Sequence, residues 1–159
     1  MPIEKMERKA SDNKYLHKDF HNFMNLGIAY IADRYGDDAV RVYLRQFADS
    51  YYAPLKQDLI ARGPVALMEH FEEIYRLEEA LDDVEMHISD DVFVLKVKRC
   101  PAVAHMKKRG VKISPLFYET SKTVYETICE GTPFAYTLNR YDASNGAALQ
   151  HFYRRGMVK

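Results

Sequence analysis

The spacing of apolar positions divides the chain into a helical first half and a mixed second half. From Tyr15 onward, Leu16, Phe20, Met24, Gly27 and Ile31 recur at helical spacing, with Phe23 and Ile28 widening the stripe, until Tyr35-Gly36 offers a stop. Asp37 or Asp38 can cap a second helix on which Val40, Tyr43, Leu44, Phe47, Tyr51 and Leu55 repeat. Pro54 should kink or interrupt it, because its ring clashes with the preceding turn. Arg62-Gly63-Pro64 punctuates the chain, and Leu67, Phe71, Ile74 and Leu81 mark a third amphipathic helix, rich in Glu on its other side.

After Asp82-Asp83 the period falls to two. Val84, Met86 and Ile88 alternate with Glu85 and His87, and Ser89-Asp90-Asp91 turns into a second strand beginning at Val92, which reads as a hairpin. Pro101 ends that strand and suits the first turn of a short helix, Ala102 to Arg109, closed by Gly110. Ser114-Pro115 should start a further helix with Leu116, Thr120, Val124 and Ile128 on one face up to Cys129 and Gly131. Phe134, Tyr136 and Leu138 alternate, Asp142 to Gly146 carries turn chemistry, and Ala147 to Arg154 reads as a last strand. The expected order is ααα-ββ-αα-ββ: about five helices packed on an antiparallel sheet of about four strands, an α+β fold. Residues 1–13 are charged and aperiodic and read as a mobile arm; 14–159 read as a single domain.

Composition changes this picture little. With 23 acidic and 23 basic side chains there is no global field to draw in nucleic acid, and no apolar run approaches the roughly 20 residues a membrane span needs. The N-terminal sequence lacks the apolar core of a signal peptide, so a cytoplasmic protein is expected, with Cys100 and Cys129 reduced. Twelve Tyr suit a pocket that is apolar with polar tips.

Candidate chemistry gathers at the strand-to-helix junction, where Cys100 precedes a helix bearing His105. The helix N-terminus, Lys98 and Arg99 are sources of thiolate stabilisation; a buried core thiol is the plain alternative. His17 and His21, one turn apart on the first helix, admit a divalent metal or a substrate role, or are boundary histidines bonded to neighbours. Lys18 stands where a zinc protease needs its general-base Glu, which excludes that class. Glu119 beside Tyr118 is a carboxylate that could orient a water, or simply a solvated helix residue. His151, Tyr153 and Arg154 near the last strand's end, together with Tyr118, are candidate substrate contacts, Arg154 as a carboxylate clamp. No Gly-rich phosphate loop, nucleophile elbow or dinucleotide fingerprint occurs.

Several segments together resemble the L-2-amino-thiazoline-4-carboxylic acid hydrolase family, particularly its short members. They are Tyr15-Leu-His-Lys-Asp-Phe-His21, Tyr43-Leu-Arg-Gln-Phe47 with Tyr51-Tyr-Ala-Pro-Leu55, Cys100-Pro-Ala-Val-Ala-His105, Leu116-Phe-Tyr-Glu-Thr120, Cys129-Glu-Gly-Thr-Pro-Phe134 and Phe152-Tyr-Arg154. The resemblance implies hydrolytic C–N opening of a cyclic amidine in a small thiazoline carboxylate, on an α+β domain. It would give His17, His21 and His105 acid/base or ligand roles, make Cys100 nucleophile or ligand, and set Arg154 on the substrate carboxylate. Larger members carry Cys-Asp-Phe in the last strand where this chain has Gln150-His151-Phe152. A remoter likeness to vinyl-reductase-type domains implies the alternative, a non-catalytic binding or sensor domain with a Tyr-lined cavity. The expected partner is thus a small molecule, with neither nucleic acid nor membrane, and a homo-oligomer is compatible with the sequence.

Overall fold

The computed structural model describes residues 16–157, with side chains described from residue 20. The arm expected over residues 1–13 lies outside the described residues. Within them the fold is α+β, with helices α1 Leu16–Tyr35, α2 Asp37–Tyr51, α3 Ala53–Arg62, α4 Pro64–Leu77, α5 Pro101–Lys108 and α6 Glu119–Cys129. The strands are β1 Val84–Ile88, β2 Val92–Val97, β3 Phe134–Asp142 and β4 Ala147–Arg154. The two hairpins join through β2 and β4 into one antiparallel sheet of order β1-β2-β4-β3.

Register decides which side chains face inward. Pairing of Phe93 with Phe152, Leu95 with Gln150 and Val97 with Ala148 puts all six on one buried face, and β3 adds Phe134 and Tyr136. Helix α4 lies on β1 and β2, α6 on β3, α2 on α6, and α1 against α2 and α5. Phe71 of α4 stacks on Phe93 with ring centroids 5.8 Å apart and also meets Phe152 and Tyr125, so aromatic packing forms the centre of the core.

The structure differs from the sequence expectation in three places. The long second helix is two, because the chain breaks at Tyr52 and Pro54 takes an early position in α3, where a missing N–H is harmless. Helix α6 begins at Glu119 rather than at Ser114-Pro115. The N–H of Ser114 is taken by Asn25 Oδ1 at 2.8 Å and Asn25 Nδ2 donates to the Lys112 carbonyl, which pins this loop to α1. The chain then climbs through three-residue turns, Glu119 N–H to Leu116 O and Thr120 N–H to Phe117 O, before the helix sets in. On α1 the buried stripe is centred on Met24 and Ile28, while Phe23 is 70% exposed.

Helix α4 ends in a Schellman motif. The Ala80 N–H bonds to the Tyr75 carbonyl and the Glu79 N–H to that of Arg76, with Glu79 left-handed at φ 53. Glycine normally occupies such a position, and a side chain there costs about 1 kcal/mol. The motif leaves Glu78, the helix C-cap, buried against the interior.

Candidate functional site

A cavity opens between the inner sheet face and the helices, bounded by α1, the α2–α3 break, α4, α6 and the start of α5. About 80 Å³ of it can be reached by the centre of a water molecule, room for several waters or a compact organic molecule. Its apolar wall includes Met24, Phe47, Phe71, Leu95, Val97 and Val124. The polar groups on that wall are Tyr52, Tyr75, Tyr125, Tyr141, Gln150, Glu78, Cys100 and His21, with Thr120 and Ser121 of α6.

Each polar group arrives by a separate structural device. Gln150 points inward because β4 alternates, and its Oε1 accepts a hydrogen bond of 2.7 Å from the Tyr136 hydroxyl. Its side-chain nitrogen has no hydrogen-bond partner among the described residues. Cys100 is the N-cap of α5, and the hairpin between β3 and β4 latches onto it, since the Cys100 N–H bonds to the Asn145 carbonyl at 3.0 Å. Gly146, at φ 71, lies against it so closely that a Cβ there would sit inside contact distance of Cys100 Cβ and 2.9 Å from Val103 Cγ2. Tyr52 enters from the break between α2 and α3, its ring edge-on to His70 at 5.7 Å.

The electrostatics favour neutral donors. Burial pushes the Tyr52 phenol up to about 12 and raises those of Tyr75, Tyr125 and Tyr141 further, so all four remain protonated at neutral pH. As a residue Cys100 is only partly covered, but its sulfur sits in core-like surroundings. Desolvation raises its pKa, outweighing the bonds from the Val103 and Ala102 N–H groups that favour thiolate. The lysines and arginines of the described residues all lie outside the cavity wall; its one carboxylate is Glu78, whose negative charge disfavours ionisation of both Cys100 and Tyr75.

Of the residues singled out in the sequence, the fold brings His21 and Cys100 to this cavity. The His17 side chain lies outside those described, and with it the paired metal reading. Among the described residues no group of three or more His, Cys, Asp or Glu is arranged to hold a metal ion. His105 is on α5 but not on the cavity wall, which that helix approaches through Pro101 and Ala102. Glu119 is not a solvated residue: only 1% exposed, it accepts from Arg41 Nε at 3.0 Å and from Thr123 Oγ1 at 2.6 Å, locking α2 to α6. Neither Glu119 nor Tyr118, which packs on Tyr141 at 6.0 Å, lines the cavity.

The substrate contacts expected near the chain's end lie elsewhere. His151 and Tyr153 alternate to the sheet face opposite Gln150 and Phe152, where His151 bonds Asn139 and Tyr153 lies near Thr137. Arg154 is paired with Asp91 at 2.6 Å and stacks over Phe134, so it is not placed to clamp a carboxylate in the cavity. Apart from His21 and Cys100, the polar residues that line it showed in the sequence chiefly as an excess of tyrosine. Period-two alternation could have placed Gln150, but Tyr52, Tyr75 and Glu78 needed the helix packing. Among the described residues no helix is long and apolar enough to cross a membrane. The chain matches no protein-family model and no curated protein.

Proposed function

We propose that this is a small-molecule-binding domain whose ligand occupies the tyrosine-lined cavity. The observation that carries this reading is the convergence of buried, protonated phenols and the Gln150 amide on one largely apolar space. Such a wall holds a ligand by shape and by hydrogen-bond donation. Thiol-dependent hydrolysis asks in addition for an activated nucleophile, and the Cys100 thiol is held protonated. Position 150, a cysteine in the larger hydrolases this chain resembles, is here an amide bonded to Tyr136.

Benzyl alcohol, an apolar ring with one hydroxyl, is a suitable probe. At a concentration of about 100 times Kd it should raise Tm by about 5–10 °C and shift the Gln150 side-chain amide resonances. An unchanged Tm together with unmoved Gln150 signals removes the reading.

Cyclic-amidine hydrolysis is the second reading. It is favoured by one feature, the placement of Cys100 at the cavity wall beside the Ala102 and Val103 N–H groups of a helix N-terminus. Ring-opened product from L-2-amino-thiazoline-4-carboxylate that disappears in Cys100→Ser would establish it; absence of product from the wild-type protein would remove it.

A further inference from the structure

The cavity wall carries hydrogen-bond donors that the protein leaves unused. Gln150 is 3% exposed, lines the cavity, and gives its Oε1 to the Tyr136 hydroxyl at 2.7 Å. Turning the amide over would leave the Tyr136 O–H without an acceptor among the described residues, so the Nε2 end, with two N–H groups, is the one left at the cavity. The hydroxyls of Tyr52, Tyr75, Tyr125 and Tyr141 share this condition: each residue lines the cavity, and none of the four hydroxyls is hydrogen-bonded to a described residue. Native interiors leave few buried polar groups unpaired, and each costs free energy unless a water or a ligand satisfies it.

These groups form one cluster. Tyr125 packs on Tyr136 with ring centroids 5.6 Å apart and on Phe71 at 5.4 Å, and its phenol feels those of Tyr52, Tyr75 and Tyr136 together with the Cys100 sulfur. Tyr141 comes from β3 and also feels Cys100. The donors therefore converge from the α2–α3 break, α4, α6, β3 and β4 on a space otherwise walled by Phe71, Leu95, Val97 and Val124. Charge matching is not what this wall offers. Among the described residues it holds neither lysine nor arginine, and Glu78, its one carboxylate, already has an interaction of its own.

An amide nitrogen has no lone pair to offer, so its complement is an acceptor, and phenol hydroxyls can rotate to serve the same oxygen. We propose that the cavity takes a compact neutral carbonyl compound, a ketone or ester on an apolar body, whose carbonyl oxygen accepts from Gln150 Nε2 and from a tyrosine hydroxyl. The inference rests on the binding reading above and sharpens it to a ligand class. The thiazoline carboxylate suggested by resemblance falls outside that class, since its carboxylate finds no lysine or arginine on the wall.

A shape-matched pair of probes isolates the acceptor: acetophenone and α-methylstyrene, in which C=CH₂ replaces C=O, titrated into the whole protein and followed by NMR. Acetophenone should move the Gln150 side-chain amide protons downfield, and α-methylstyrene should not. The double variant Tyr136→Phe/Gln150→Met removes both partners of the buried bond and leaves neither orphaned. In it the acetophenone-to-α-methylstyrene affinity ratio should fall at least about tenfold while α-methylstyrene binding persists. Comparing ratios cancels the difference in the probes' own hydration. The wild-type shift needs no variant, so the test survives a poorly folded substitution. Acetophenone binding without the downfield shift, an unchanged ratio, tighter binding of benzoate than of acetophenone, or failure of both probes where benzyl alcohol binds overturns this inference and leaves the binding reading in place. Failure of acetophenone, α-methylstyrene and benzyl alcohol alike overturns both.

Discussion

Among the described residues two carboxylates are buried, and their surroundings differ. Glu119, at the first turn of α6, is bonded by Arg41 from α2 and by Thr123 one turn along its own helix, so its acceptor capacity goes into joining two elements. Glu78, at the last turn of α4, faces a cavity with phenols, a thiol and aromatic rings, and its charge is felt by groups that line that space. Burial alone therefore does not separate a carboxylate bonded across a helix seam from one at a cavity wall. What separates them is whether the side chain is bonded across a packed seam or borders open volume. The same contrast applies to the two cysteines: Cys129 is a core thiol pushed up to about 12 by burial, while Cys100 has the same character but borders the cavity.

The strongest way to break this comparison is to collapse the cavity side. Gly146→Ala adds a Cβ against Cys100 and Val103 at a left-handed position, so it should lower stability by about 3–4 kcal/mol. Urea unfolding with an unchanged m-value would check it, and a loss below about 1 kcal/mol would mean that the β3–β4 latch is not a rigid part of the wall. On the seam side, Glu119→Ala should cost about 2–3 kcal/mol, because Thr123 and Arg41 lose their acceptor inside a closed interface. Benzyl alcohol affinity should be unaffected by that change; a coupled loss would join the two regions that the geometry keeps separate.

The pH profile of stability sharpens the comparison next. Desolvation pushes His70 down from 6.5 to about 4, so the folded state resists a proton that the unfolded chain accepts. Stability present above pH 6.5 is therefore lost as pH falls toward 4. At the other end Cys129 and Tyr52 are raised to about 12, from 9.0 and 10.0. The unfolded chain ionises first, so stability present below pH 9 declines as pH rises toward 12. Tm measured against pH should show a plateau between 6.5 and 9, with the acid limb flattened in His70→Leu.

A smaller effect probes the strain next to Glu78. Glu79→Gly removes the left-handed side chain and should stabilise by up to about 1 kcal/mol, as read by Tm. Destabilisation would mean that the Glu79 side chain holds the turn by a contact of its own. Smallest of all, His151→Ala should lie within about 0.5 kcal/mol of the parent and leave probe binding unchanged, since it sits on the far sheet face. A loss of binding there would bring that face back into the site.

The sequence by itself determined the succession of helical and extended segments, though not the break that makes the second helix two. Helical and alternating periods depend on neighbours a few residues away, so α1, α4, both hairpins and the Cys100–Pro101 junction were legible from side-chain spacing alone. It also determined that tyrosine would supply polar tips in an apolar setting. The break at Tyr52 and the late start of α6 were not legible, since the first depends on how α2 and α3 pack and the second on Asn25 capturing Ser114 from 89 residues away. The tertiary structure alone decided the site. Sheet register turned Gln150 inward and His151 outward, the seam between α2 and α6 closed around Glu119, and the Schellman turn carried Glu78 to the cavity wall. The physical reason is range: periodicity reports which face of an element is apolar, whereas a cavity is defined by which faces of distant elements meet and where they leave space.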